Sequence, residues 1–269
     1  MIANILSIAG TDPSGGAGIQ ADIKAISALG GYACSAITAV VAQNTQGVRS
    51  FVALEPAFVV DQIDAVFDDV RIDAVKIGMI ANAAIAEAVA DRLRHHSARN
   101  VVLDPVMVAK SGHALLAPEA VAAVRDLLAP LSTIITPNLP EAAVLLGRPD
   151  DWDTGSMRAA LPALQALGAD WVLLKGGHLT ESADSTDLLA GPSGVTAFPA
   201  PRIATTNDHG TGCTLSSALA ALLPRMAVPE AVAQAKAYLS GALAASDALD
   251  VGRGHGPVHH FHALWRSAG

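Results

Sequence analysis

The sequence predicts an α/β protein with a mostly parallel sheet covered by helices, and three observations carry that prediction. Short apolar, β-branched runs alternate with longer Ala/Leu-rich segments of helical period. Polar residues recur where those runs end, which is where ligands lie in open parallel sheets. The 269 residues, 51% of them apolar and 16% charged, can bury one large core.

Strands are predicted at NILSIAG (4–10), ACSAITAVVA (33–42), AVKIGM (74–79), VVLDPVM (101–107), TIITPN (133–138) and WVLLKGG (171–177). Helices are predicted between and after them, at 17–29, 56–69, 81–95, 117–128, 139–146 and 154–167. Beyond Gly177 the pattern changes. STDLLAG and GVTAFPAPRI read as a hairpin or edge pair around GPSG, two Ala-rich helices follow at 212–223 and 229–249, and GHGPVHHFHALW forms the tail. No Ser/Pro-rich linker, charge run or fixed-period repeat divides the chain, so residues 1–269 read as one domain.

Composition excludes several classes of function. The formal charge is −8, from 17 basic and 25 acidic residues without a Lys/Arg cluster, which argues against nucleic acid as a general partner. MIANILSIAGTDPSGG has no basic leader, and no uninterrupted apolar run approaches the length of a membrane span, so a soluble, cytoplasmic protein is expected. Cys34 and Cys213 are too few for a disulfide scaffold and lack metal-site spacing; two free thiols are expected.

Five segments have the residue types that chemistry needs. GTDPSGGAGIQAD (10–22) is a glycine-rich loop between strand and helix. Its spacing matches neither the dinucleotide nor the P-loop pattern, and it reads equally as a ligand loop or a plain turn. Asp22, early in that helix, has an ordinary reading as a charge complementing the helix N-terminus. VVAQNTQGV (40–48) puts Gln43 at a strand end, where its donor and acceptor can read a heterocycle with an amino group and a ring nitrogen, or simply meet solvent. In TPNLPEAAVLL (136–146), Asn138 and Glu141 have capping-box spacing, and the same oxygens suit a hydrated Mg²⁺. Asp104, alone in an apolar strand, needs a partner, either a metal or a cation.

Lys175 in KGGH (175–178) can pair with a carboxylate or neutralise a phosphoryl group. HGTGCT (209–214) opens a helix, so its first N–H groups lack acceptors and form an anion site. There Cys213 is either a buried structural thiol or, beside a helix N-terminus, a thiolate-prone group of lowered pKa. A covalent cysteine mechanism assisted by His209 is the second chemical reading of that turn.

With these residues in view, the sequence resembles the hydroxymethylpyrimidine/phosphomethylpyrimidine kinases of thiamine biosynthesis, within the ribokinase-like superfamily. The resemblance runs almost end to end, through IAGTDPSGGAGIQADIKAISALG, ITAVVAQNTQGV, VKIGM, VVLDPVM, ITPNLPEAAVLL, LLKGGH, HGTGCTLSSALAALL and GPVHHFHALW. It implies a three-layer αβα fold, ATP and Mg²⁺, and a small-molecule substrate, 4-amino-5-hydroxymethyl-2-methylpyrimidine, phosphorylated first on its hydroxymethyl oxygen and then on the monophosphate. By the same resemblance Gln43 binds the pyrimidine, and Asp22, Val41, Met79, Val106 and Gly10 line its pocket. Asn138 and Glu141 match an N-x-x-E signature for Mg²⁺ and phosphates, with Asp104 nearby, and Lys236 borders the nucleotide.

Most ribokinase-like enzymes look like G-[AT]-G-D at the turn, whereas here Gly210, Thr211 and Gly212 precede Cys213; the swap resembles the thiamine branch and a group of pyridoxal kinases. It implies that amides 210–213 and Lys175 stabilise the transferring phosphoryl group while Cys213 orients or deprotonates the hydroxyl. Asp208 departs from the pattern, in which a neutral residue precedes the His. Family precedent suggests a homodimer. Two rivals remain: a cysteine-type pyridoxal kinase, against which Gln43 argues, and a regulatory binding protein that has lost catalysis. Pro13 to Gly16 and Lys110 to Gly112 are expected to be mobile.

Overall fold

Alternation along the strands dictates the layers. The computed structural model describes residues 1–107, 117–179 and 184–265. Among these, β1 (Asn4–Ala9), β2 (Tyr32–Ile37), β5 (Ala74–Ile77), β6 (Val101–Leu103), β7 (Ile134–Ile135), β8 (Trp171–Leu174), β9 (Asp187–Gly191) and β10 (Gly194–Phe198) form one sheet, in the order β10-β9-β8-β7-β6-β5-β1-β2. The pairs from β2 to β8 are parallel; β9 and β10 add an antiparallel edge. Ile5, Ala74, Val102, Ile134 and Leu173 point to one face, where they meet α1 (Gly18–Ala28), α7 (Thr211–Leu222) and α8 (Val228–Ala244). Leu6, Ile8, Val75, Ile77, Leu103 and Val172 point to the other, against α2 (Pro56–Phe67), α3 (Ala83–His95), α5 (Leu139–Leu146) and α6 (Thr154–Gln165). That is the expected three-layer sandwich.

The segment predicted as one strand over 33–42 is two. Thr38 breaks it: its N–H bonds Ala9 O and its hydroxyl donates to Met79 O, which turns the chain out of the sheet. The continuation, β3 (Ala39–Asn44), pairs instead with β4 (Gly47–Ala53) in a separate two-stranded flap. β4 escapes sequence reading because residues 49–52 are exposed on both faces, leaving no alternation to detect. The helix predicted over 117–128 is α4 (Pro118–Ala123) followed by a π-helical turn at Val124–Leu128, and the one over 229–249 stops at Ala244.

Every predicted parallel strand except the first outruns its ladder by two residues or more at the carboxyl end. There Gly78, Pro105, Pro137 and Gly176 follow the ends of β5, β6, β7 and β8, where the chain turns away from the strands. Within and beside Pro13 to Gly16, the segment expected to be mobile, the N–H groups of Ser14, Gly16 and Ala17 donate to the Asp12 carboxylate. Lys110 to Gly112 lie outside the described residues.

Candidate active site

The site is assembled by register. Ser7 of β1 stands opposite Lys76 of β5, and Asp104 follows β6 one pleat further on. The period of two sends Ser7 and Lys76 to the α1/α7 face, under the first turns of α7. Lys76 is wholly buried and bonds both oxygens of Asp22, at 2.9 and 2.8 Å, while Ser7 and Ser217 donate to the same carboxylate at 2.6 and 2.7 Å. These four bonds fill the acceptor capacity of Asp22.

Asp104, also buried, accepts from Lys175 Nζ at 3.1 Å, Thr136 at 3.2 Å and Ser216 at 3.3 Å. Burial opposes its charge, but Lys175 and Lys76 and the bonds from Lys175 and Thr136 hold it below the usual carboxylate range. Asn138 and Glu141 form the capping box of α5: Asn138 Oδ1 accepts from Glu141 N–H, and Glu141 Oε2 accepts from Asn138 N–H, each at 2.8 Å. Glu141 also lies 3.9 Å from Lys175. Burial, with the nearby Asp104 charge, pushes Glu141 up to about 7 against the pull of Lys175. Asp22 balances Lys76 and Asp104 balances Lys175, so Glu141 is the surplus carboxylate.

Gly210 caps the start of α7 in the left-handed region, φ 78°, and no side chain caps the helix. Thr214 N–H is the first to find an intrahelical acceptor, Gly210 O, so helix geometry leaves the amides of 210–213 facing outward. A β-carbon built at Gly212 would sit 3.4 Å from Lys175 Nζ and 3.5 Å from Asp104 Oδ2, which puts the turn against that pair. A β-carbon at Gly10 would sit 3.2 Å from Met79 Sδ and 3.6 Å from Val41 Cγ2, so these three residues form one wall. Gln43 stands half-buried two residues beyond Val41, past a β-bulge that re-aims it. The chain returns to the turn from there: Thr45 O accepts from His255 N–H, and Gly256 O accepts from His209 N–H. Flap and glycine turn share one edge of the sheet.

With that geometry in place, likeness to known proteins is informative. The profile of phosphomethylpyrimidine kinase matches residues 12–259. The chain belongs to that family. The hydroxymethylpyrimidine/phosphomethylpyrimidine kinase of Salmonella typhimurium is 60% identical to it over 263 residues, which is 97% of this chain and 98% of that one. A crystal structure of phosphomethylpyrimidine kinase from Clostridium difficile superposes with a TM-score of 0.79 at 40% identity, covering 90% of this chain and 99% of that one. An ADP complex of Bacillus subtilis pyridoxal kinase superposes at 0.89 with 33% identity, over 98% and 99%.

In this phosphomethylpyrimidine kinase family member the Asp22 carboxylate is taken up by Ser7, Lys76 and Ser217, and two readings of the glycine turn need correcting. Cys213 is no thiolate-prone group: burial pushes its thiol up to about 11, Asp22 and Asp104 reinforce this, and Lys76 offsets only part of it. His209 is not placed to assist Cys213, because its Nε2 lies 2.8 Å from Asp12 Oδ2. Asp208, the departure from the family pattern, has its Oδ1 2.9 Å from His255 Nδ1. Lys236 is anchored to Asp187 Oδ2 at 2.5 Å and Ser185 O at 2.8 Å, tying α8 to β9. Val106 is half-buried just beyond Asp104, whose carbonyl accepts its N–H at 2.8 Å. Cys34 and Cys213 are both free, as expected.

Sequence reasoning missed Lys76, the buried cation that pairs with Asp22. Its signal was the mirror image of Asp104: a lone base inside an apolar strand, needing a counter-charge.

Glu141, a buried carboxylate whose nearest cation, Lys175, already pairs with Asp104, is the kind of donor that hydrated Mg²⁺ takes along with waters and phosphates. Among the described residues there is no group of three or more His, Cys, Asp or Glu that could hold a metal ion. The surplus Glu141, with Asp104 behind it, is the carboxylate such an ion would use. Among the described residues no helix is long and apolar enough to cross a membrane.

Proposed function

We propose that the chain, acting as one kinase domain over residues 1–269, transfers the γ-phosphoryl group of ATP to the hydroxymethyl oxygen of 4-amino-5-hydroxymethyl-2-methylpyrimidine and then phosphorylates the monophosphate to the diphosphate. A kinase of the pyrimidine moiety of thiamine is what its family membership gives. The observation that supports this reading is the contact of the 210–213 turn with the Lys175–Asp104 pair at the carboxyl end of the parallel strands, the same end at which Gly10, Met79 and Val41 meet.

In this reading Gln43 pairs with the amino group and ring nitrogen, Val106 closes the apolar wall, and the 210–213 amides and Lys175 meet charge on the transferring phosphoryl. Asn138 and Lys236 serve the nucleotide side. Glu141 and Asp104 would hold Mg²⁺, which supplies charge neutralisation at the phosphates when bound. Phosphoryl transfer of this kind passes through a loose transition state, so the hydroxyl proton is lost late and a strong base is not needed. Cys213, a neutral thiol, orients the hydroxyl. In the second step the acceptor is already an anion.

Incubation with ATP, Mg²⁺ and the pyrimidine alcohol, followed by mass analysis, tests the reading: monophosphate appears first and diphosphate later. Absence of both would refute it. The pyridoxal-kinase neighbours favour a second activity on pyridoxal, to be assayed side by side; Gln43 predicts that the pyrimidine wins. A homodimer in the cytoplasm completes the proposal. The exposed Tyr32, Val40, Val52 and Phe58 support self-association, and free thiols suit a reducing compartment. Sedimentation equilibrium tests the dimer.

A further inference from the structure

Asp12 receives more donors than any role yet given to it requires. It is fully buried. Its Oδ1 accepts from Ser14 N–H at 2.9 Å and Ser14 Oγ at 2.7 Å. Its Oδ2 accepts from Gly16 N–H at 3.1 Å, Ala17 N–H at 2.7 Å and His209 Nε2 at 2.8 Å. Burial works against its charge, yet the bonds from His209 and Ser14 hold it ionised well below the usual carboxylate range. Four of those five bonds are local and shape the glycine-rich loop. The fifth spans 197 residues to the amino acid that precedes the glycine turn.

Steric fit makes the same junction tight. A β-carbon at Gly210 would fall 1.7 Å from Gly16 O, and one at Gly16 would fall 2.5 Å from the His209 ring. His209 N–H also bonds Gly256 O at 3.0 Å. The loop that carries Gly10 and, through the Thr11 hydroxyl, holds Val41 N–H at 3.0 Å is therefore locked to the turn that presents the phosphoryl-binding amides. The Asp12–His209 bond joins the loop that carries Gly10 to the turn that carries the 210–213 amides.

We infer that Asp12 and His209 are a positioning pair for phosphoryl transfer: their bond fixes the 210–213 amides against the acceptor pocket, and neither residue touches the reacting atoms. This rests on the phosphoryl-transfer reading above. A misplacement of about 1 Å at such a site can cost about 10²-fold in rate.

His209→Phe keeps a flat ring and removes the donor; His209→Gln restores an N–H near the Nε2 position. The prediction is that H209F lowers kcat by about 10²-fold with little change in KM, and that H209Q recovers most of it. Asp12→Asn with H209F should lose no more than the worse single variant. Asp153→Ala, which breaks the remote capping box of α6, is a control for general destabilisation: its Tm falls while kcat holds. Binding of ADP, Mg²⁺ and aluminium fluoride, measured by calorimetry, reads the amide geometry without an acceptor. Affinity should fall at least about tenfold in H209F while ADP alone binds as before.

Equal kcat and equal aluminium fluoride affinity in H209F and wild type would overturn the inference, as would a loss in H209F that H209Q does not recover. If the wild-type protein binds the aluminium fluoride complex, H209F does not, and no pyrimidine is phosphorylated, the pair stands and the acceptor assignment falls.

Discussion

At the scale of single residues, charge burial separates what Lys76 and Cys213 do. Lys76 and Asp22 form a pair with no exposure on either side chain, so removing one partner leaves an uncompensated buried charge. Lys76→Met should cost about 3–5 kcal/mol of stability in chemical denaturation, and Lys76→Met with Asp22→Leu should recover part of it. Equal loss in both variants would show that the pair is not the source. Cys213 is held as a thiol by burial, up to about 11, and its alkylation rate should therefore keep rising above pH 9 in a Cys34→Ser background. An orienting thiol matters less than a true base: Cys213→Ala should slow phosphorylation of the alcohol about tenfold and of the monophosphate less. A loss of about 10⁴-fold in the first step would restore the base role. Asp104 and Lys175 announced themselves in the sequence, as lone charges at strand ends. The raised thiol did not, because the helix N-terminus visible in GTGC argues one way and the surrounding burial, invisible there, argues more strongly the other.

Among elements, the start of α7 bears most of the function. The left-handed Gly210 is demanded twice, by its φ of 78° and by the Gly16 carbonyl in the space where a β-carbon would go. Gly210→Ala must therefore displace the loop or the turn, at about 2–4 kcal/mol, and kinase turnover should fall by at least about 10²-fold even where the variant folds. Thermal unfolding beside steady-state rates measures both. Full turnover in G210A would mean that the turn does not need this backbone shape. The β3–β4 flap shows the limit of reading elements from sequence. AITAVVAQN looks like one strand with its upstream neighbours, and only the bonds from Thr38 to Ala9 O and Met79 O reveal the corner. Local propensity carries no record of which sheet a strand joins.

For the molecule as a whole, pH response follows from how α7 is fastened to the tail. His260 is buried with Nε2 3.0 Å from Thr214 Oγ, and burial first, then the charges of Lys24 and His259, push its pKa from 6.5 down to about 3. The unfolded chain takes up a proton there as pH falls through 6.5, while the folded chain stays neutral down to about 3. By linkage the protein loses stability on acidification across that window and keeps this contribution above it. Stability measured from pH 7 down to 4 should fall steeply in the wild type and less steeply in His260→Gln; parallel slopes would remove His260 as the cause.

By themselves, the alternating apolar runs determined the parallel sheet, its helical layers and the antiparallel edge, because periodicity is a local property that burial merely uses. The sequence also marked Gln43, Asp104, Asn138, Glu141, Lys175 and the glycine turn as the polar punctuation of that sheet's carboxyl edge. Only the tertiary structure decided which of these groups remain available. It paired Asp22 with Lys76, pushed the Cys213 thiol up and joined His209 to Asp12, since the ionisation and free lone pairs of a buried group depend on neighbours brought from distant parts of the chain.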